Sequence, residues 1–367
     1  MKLHFDVALC VRAKSKVSEC EKCILASPDT IRLEENLPAF SHNAGVESAA
    51  CIGACPTEAF SLSDFSTTEF FFSFLESKVR IISAGMNIPC VSVLSVEHFI
   101  SLALSSEESI VVDLNGYQER QVLYGIIEAR IDEANFILSS FCEKNIETNV
   151  DETLEKEQNE TQVSSRRDFL STATIKGAVK QKRVFDDAVQ AEELQCFSID
   201  SEMISKIRDK TLPNKRKILF TTLKRVKDIN KYETLAKEDV SFVSQKYVDE
   251  SCTNCQICYR VCPTGALSSN GKFSLIHFDA MLCLKCHLCH DVCESDSIHL
   301  QDGFETKEFF EPTQRVLATF DSRRCDDCGA YFTYVSGEQL CSRCLVEEEE
   351  AIFLHANAKK MKNSDEA

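Results

Sequence analysis

The chain has no tryptophan, no run of 18 apolar residues and no excess of positive charge. Without such a run no membrane-spanning helix is expected, because one needs about 20 consecutive apolar residues. The N-terminal stretch MKLHFDVALC has no extended apolar core and no small-residue cleavage site, so no secretory signal is expected there. A formal charge of −17 argues against nucleic-acid binding, which needs a basic face. No Gly-x-Gly-x-x-Gly and no Walker sequence follows any expected strand, which leaves nucleotide binding without support. What the chain does have is 20 cysteines in 367 residues. The expected compartment is the cytoplasm, where thiols stay reduced and Cys-x-x-Cys turns are metal ligands rather than disulfides. A soluble metalloprotein is the class this composition predicts.

The cysteines fall in three blocks, at 10–55, 252–293 and 325–344. Cys90, Cys142 and Cys196 lie outside them and are expected to pack as small buried hydrophobes. Spacing and composition together predict an α+β multidomain chain. Its parts are a cysteine region at 1–65, a small α/β unit at 66–142 and an acidic linker at 143–164. A helical basic segment at 165–247 precedes a central cysteine region at 248–303. A knuckle pair at 304–346 and an acidic, polar tail at 347–367 complete it.

The central block carries the strongest signal. Cys252, Cys255, Cys258 and Cys262-Pro263 follow the spacing C-x2-C-x2-C-x3-C-P, and the spacing returns at Cys283, Cys286, Cys289 and Cys293. With the closing phrase Cys262-Pro-Thr-Gly-Ala-Leu267, this segment resembles the two-cluster bacterial ferredoxins. In that fold the fourth thiolate of each run reaches the other cluster. The resemblance therefore implies one [4Fe–4S] cluster on Cys252, Cys255, Cys258 and Cys293, and a second on Cys283, Cys286, Cys289 and Cys262. Zinc bound by the eight cysteines is the alternative. Glu294 replaces the second proline, and His287 and His290 intrude; both histidines are expected to be exposed or to act only on cluster ligands.

The N-terminal block looks like a worn copy. Cys20 and Cys23 are followed by Ser27 where a further cysteine belongs, and Gly45 and Ser48 precede Cys51 and Cys55 in place of two more. By the same cross-ligation, one [4Fe–4S] centre survives on Cys10, Cys20, Cys23 and Cys55, with Cys10 as a displaced first ligand. Cys51 is the spare, or the fourth ligand in place of Cys10. A scaffold without metal is the alternative reading.

Between these blocks the pattern predicts a helix at 67–78, strands at 79–84 and 91–94, a helix at 96–105 and a strand at 109–115. Leu123, Ile126, Ile127, Ala134, Ile137, Leu138 and Phe141 line one face of a long helix. The order suggests a small parallel-sheet unit. It faintly resembles the iron–sulfur subunit domain of hydrogenase and heterodisulfide reductase systems, with Cys90 alone left of that family's cluster cysteines, which implies a structural or docking role.

Ser164-Ser-Arg166-Arg167-Asp-Phe-Leu170 resembles a twin-arginine motif at an internal position. It is also similar to the Arg-Arg start of the cytoplasmic ferredoxins that accompany periplasmic nitrate reductase; an exposed helix start is the plainer reading. Residues 215–227 predict an amphipathic basic helix that either meets an acidic partner or RNA, or only offsets surrounding acidic charge. Cys325-Asp-Asp-Cys328-Gly329 and Cys341-Ser-Arg-Cys344 form two knuckles separated by twelve residues, the pattern of a zinc ribbon, or of a rubredoxin-like iron site. The function expected from the whole is electron transfer to or from a protein redox partner. The resemblance to molybdoenzyme-associated ferredoxins implies a molybdenum-dependent formate dehydrogenase or nitrate reductase. Assembly or maturation of such an enzyme is the alternative.

Overall fold

The computed structural model describes residues 1–41, 44, 49–77, 79–149, 194–195, 201–227, 229 and 231–364. Positions 45 and 48, the acidic stretch from 150 on, Arg166, Arg167 and Cys196 lie outside the described residues. The described chain mixes helices with small sheets, as the α+β reading expected.

The N-terminal region runs β1 (Leu3–Phe5), α1 (Val11–Lys14), α2 (Lys22–Ala26), β2 (Ile31–Glu34), β3 (Leu37–Ser41), α3 (Ala50–Ala54) and β4 (Phe60–Leu62). The outer strands β1 and β4 pair antiparallel, and β2 and β3 form a hairpin. Glu35 and Asn36 turn that hairpin with φ of 47° and 70°, the left-handed pair that matches the twist of the flanking strands. Phe5 and Phe60 stack across the outer strands with centroids 4.8 Å apart, and Phe40 closes over Phe60 at 5.9 Å.

The next region runs α4 (Thr67–Ser77), β5 (Ile81–Ile82), α5 (Val96–Ser105), β6 (Ile110–Asp113), α6 (Gln121–Ser139) and β7 (Ile146–Asn149). Strands β5, β6 and β7 are parallel neighbours in that order, with α5 and α6 as the crossovers that parallel pairing requires. Two expectations fail here. The segment Val91–Val93 is a 3-10 turn, not a strand. All three of its residues are fully buried, and a short buried apolar run carries no periodicity that separates strand from turn. Strand β7 falls inside the stretch expected to be acidic linker, which from residue 150 on lies outside the described residues. Only Ile146 of that strand is buried, so its composition reads as solvated.

After β8 (Leu194–Gln195), which adds to β3, come α7 (Ser201–Arg208), α8 (Asn214–Leu223) and β9 (Thr234–Ala236). The central region then runs β10 (Lys246–Val248), α9 (Ile257–Val261), β11 (Leu267–Ser269), β12 (Leu275–Asp279), α10 (Leu288–Asp291) and β13 (Ile298–Leu300). Its outer strands β10 and β13 pair antiparallel and its inner strands form a hairpin. This repeats the N-terminal order of strand, helix, hairpin, helix and strand. Strand β14 (Gly303–Glu305) pairs with β9, and β15 (Gln314–Thr319) joins β12. The hairpin β16 (Ser322–Arg324) and β17 (Tyr331–Thr333) and the helix α11 (Ser342–Ser364) end the chain.

One continuous core joins the N-terminal, middle and central regions, through side chains such as Phe40, Phe99, Ile137, Phe242 and Phe278. The basic helix corrects its sequence reading. Lys215 and Arg216 of α8 point inward rather than to solvent, at 3% and 0% exposure. Arg216 pairs with buried Glu97 of α5 and donates to the carbonyl oxygens of Met281, Cys283 (2.9 Å) and Phe242 (2.7 Å). Lys215 donates to the carbonyl of Cys55 at 2.6 Å. These two charges satisfy backbone oxygens beside two cysteine loops, while Lys217, Lys224, Arg225 and Lys227 of the same run are exposed.

Candidate metal centres

Each central cysteine run is turned by the same backbone device. Asn254 and Gln256, on either side of Cys255, have φ of 55° and 72°. Lys285 and His287, on either side of Cys286, have φ of 46° and 63°. Left-handed backbone in non-glycine residues costs on the order of 1 kcal/mol each, and such strain gathers where a site requires it. The helices α9 and α10 start directly after these turns, and carry Cys258 and Cys289 into the interior.

The turn after the last cysteine of a run occurs three times. The third residue beyond Cys55, Cys262 and Cys293 is left-handed in each case: Glu58 at 56°, Gly265 at 76° and Asp296 at 48°. The hydroxyl two residues on lies by the sulfur each time, with Thr57 at 3.6 Å, Thr264 at 3.9 Å and Ser295 at 3.8 Å. The amides of Ala59 and Ser297 donate to Cys55 Sγ and Cys293 Sγ at 3.3 Å. Glu294 thus replaces proline without altering the turn. Cys55 of the N-terminal copy has the environment of a fourth ligand.

Two small cavities collect the thiols. Cys262, Cys283, Cys286 and Cys289 line one, with Lys246 and His287 beside them. Cys10, Cys20, Cys23 and Cys55 line the other, with Arg12 and Lys22. Cys252 and Cys255 neighbour Cys258, and Cys255 is exposed. Cys293 is half-buried at the end of α10. Cys51 is fully buried against Cys23 and near Arg130, outside the N-terminal cavity. It stands to Cys23 as Cys289 stands to Cys258, third cysteine to third cysteine across the duplication. Cys90 packs in the core with Ser92 Oγ at 3.0 Å and Tyr117 Oη at 3.4 Å.

Burial pushes the Cys10, Cys258 and Cys289 thiols up to about 12, and the neighbouring thiols add to it at Cys10 and Cys258. Cys23, Cys51 and Cys286 are raised for the same first reason. Burial also raises Cys293, but the hydroxyl and amide of Ser297 outweigh it and its thiol sits below its usual value. A metal that binds thiolate removes the proton that burial otherwise retains. Four sulfurs around one cavity, with cations beside them, suit an anionic thiolate-bound cluster, so the two cavity-lining donor sets fit [4Fe–4S] groups.

His290 lies half-buried, and its Nε2 accepts from Lys246 Nζ at 2.6 Å. Burial, then the Lys246 ammonium, hold its pKa down to about 3, so the ring is neutral. Lys22, Lys246 and Arg216 are the site residues sequence reasoning missed. For the two lysines the only signal was a place inside or just before a cysteine run, and for Arg216 a place in the basic helix.

At the C-terminal knuckles the sulfurs of Cys325, Cys328, Cys341 and Cys344 all lie within 4.8 Å of one another, and Cys328 and Cys341 are 3.7 Å apart. Zn–S bonds of about 2.3 Å in a tetrahedron place sulfurs about 3.8 Å apart, so this set fits a single metal ion. Gly329 supplies the left-handed turn of the first knuckle with φ of 70°. The Cys341 amide donates to Cys325 Sγ at 3.3 Å and, with the amides of Cys328 and Asp327, brings that thiol down to about 6.

Comparison with known proteins gives one family match: a 4Fe-4S binding domain at residues 246–268, which spans the first central cysteine run and the two strands beside it. No curated protein and no solved structure matches the chain. Among the described residues no helix is long and apolar enough to cross a membrane. The match and the cysteine geometry support an iron–sulfur, ferredoxin-like protein.

Proposed function

We propose that this protein carries electrons through three [4Fe–4S] centres to or from a protein redox partner. The ligand sets are Cys252, Cys255, Cys258 and Cys293; Cys283, Cys286, Cys289 and Cys262; and Cys10, Cys20, Cys23 and Cys55. The observation that carries this reading is the pair of neighbouring thiol-lined cavities, one in each copy of the duplicated fold. Bound clusters supply reversible one-electron chemistry. The chain's own residues position the thiolates and donate amides and hydroxyls to them. The C-terminal knuckles hold zinc as a closed structural site, since four cysteines complete its coordination. A molybdenum-dependent formate dehydrogenase or nitrate reductase is the partner the sequence resemblance favours, in the cytoplasm.

Assembly of the partner's own clusters is the competing function, and the test separates the two. Cys258→Ser with Cys289→Ser leaves surface charge intact, so docking should survive. For a carrier, electron flow through a partner matured beforehand with intact protein stops. If that partner works normally beside the variant and only newly made partner is inactive, the chain is an assembly factor.

A further inference from the structure

The three-centre reading leaves open how the centres are ordered and which one holds an electron best. We infer that the Cys262, Cys283, Cys286 and Cys289 centre lies between the other two and has the highest reduction potential, set by the ammonium groups of Lys22 and Lys246. This rests on the electron-carrier reading and adds an order to it.

The N-terminal cysteine loop sits directly on the loop of that middle centre. Lys22 lies between Cys20 and Cys23, and its Nζ donates to the carbonyl oxygen of Lys285, the residue before Cys286, at 3.1 Å. The Glu19 amide donates to the Asp291 carboxylate of α10 at 3.0 Å. Cys20 and Cys286 pack on one small apolar cluster built from Val11, Leu288 and Val292. Cys258 neighbours Cys289 through the packed helices α9 and α10, and Ile257 and Val261 of α9 pack on the same apolar cluster. The N-terminal and outer centres therefore both border the middle one. The outer centre alone has an exposed ligand among these sets, Cys255.

Charge around the centres is unequal. Lys246 is 2% exposed and lines the middle cavity itself. Lys22 lines the N-terminal cavity with Arg12 and reaches the middle loop, and Lys14 and Lys285 also face thiols of the middle set. The outer ligands Cys252 and Cys293 are flanked in sequence by Asp249, Glu250, Glu294 and Asp296. Reduction adds one negative charge to a cluster. A cation held in a poorly screened interior stabilises the reduced form and raises the potential, whereas carboxylates lower it. Electrons entering at the exposed outer centre are thus drawn inward to the middle centre.

The test is an EPR-monitored redox titration of the full chain, with signals assigned through the altered g-values of Cys255→Ser, Cys286→Ser and Cys20→Ser. The middle centre should be reduced first. Lys246→Met should lower its potential and leave the outer centre unmoved, while Lys246→Arg keeps the wild-type order. Lys22→Met should lower the middle and N-terminal centres together. Dipolar broadening should link the N-terminal signal to the middle one and not to the outer one. The inference is overturned if the outer centre reduces first, or if Lys246→Met shifts no centre or all three alike. Iron content, measured beforehand, keeps the two ideas apart: clearly fewer than about twelve irons per chain sinks the three-centre reading itself. A full complement titrating in another order sinks only this inference.

Discussion

Arg216 and Glu97 form an ion pair in which the side chains are 0% and 2% exposed, and through it α5 is tied to the backbone of the Cys283 loop. Burial pushes the Glu97 carboxyl up, but Arg216 and Lys215 outweigh it and hold it below its ordinary value. Removing one partner leaves the other buried and unpaired, a loss of about 3–5 kcal/mol. Glu97→Gln and Arg216→Met should each lower unfolding stability by that order in a denaturant titration. Lys231→Ala, which breaks an exposed pair with Glu233, should cost about 0–1 kcal/mol. Equal losses at the two sites would contradict the structural role given to Arg216.

Acid should destabilise the protein through His98. Its Nδ1 accepts from the Ser95 amide at 3.2 Å at the start of α5, and its side chain is almost fully buried. Burial, then Lys215, lower its pKa to about 3. The unfolded chain therefore binds a proton that the folded chain refuses, between the ordinary value near 6.5 and about 3. That stability is fully present above pH 6.5 and is lost as pH falls, at about 1.4 kcal/mol per pH unit. His98→Gln should flatten this slope between pH 6 and about 4 relative to wild type. An unchanged slope would mean that His98 is not held neutral.

Cys51 and Cys55 should behave differently although both are buried. Cys55 lines the thiol cavity, has the hydroxyl contact shared by Cys262 and Cys293, and has the amide contact shared by Cys293. Anaerobically purified protein should carry about twelve irons, four for each of three centres. Cys55→Ser and Cys10→Ser should each reduce this by about four, and Cys51→Ser should not. Loss of the N-terminal signal in Cys51→Ser with retention in Cys10→Ser would reverse the ligand choice.

Much of this site was legible because cluster ligation demands fixed spacing in the chain. The eight central cysteines, the two knuckles and even the worn N-terminal copy follow from intervals between cysteines. The cations beside the sites were not legible. Lys22 and Lys246 are ordinary lysines in sequence, and only the packing of one loop on another places their charges beside thiols. Arg216 was misread for the same reason: a basic run looks solvated until its acceptors, carbonyls 26 to 67 residues away, are known. Short elements failed too. The 3-10 turn Val91–Val93 and the strand β7 are each decided by tertiary neighbours, not by local pattern.

The last prediction concerns the C-terminal metal and a contact between sites. Asn254, beside exposed Cys255, donates from Nδ2 to Thr333 Oγ1 of β17 at 2.9 Å and to the carbonyl of Phe273 at 2.8 Å. The hairpin carrying Thr333 is small, and its only buried cluster is the knuckle cysteines with Phe332 and Leu340. Without metal that hairpin has almost no core, so its order depends on the ion. Cys341→Ser should therefore remove about one zinc per chain and leave total iron unchanged under anaerobic conditions. The Asn254 loop then loses one of its two anchors. On exposure to air the outer centre should bleach faster than in wild type, while the other two centres keep their rates. Thr333→Val should reproduce the faster bleaching with zinc retained. If all three centres decay faster in Cys341→Ser, the knuckles stabilise the whole molecule. If Thr333→Val has no effect, the Asn254 contact does not carry the coupling.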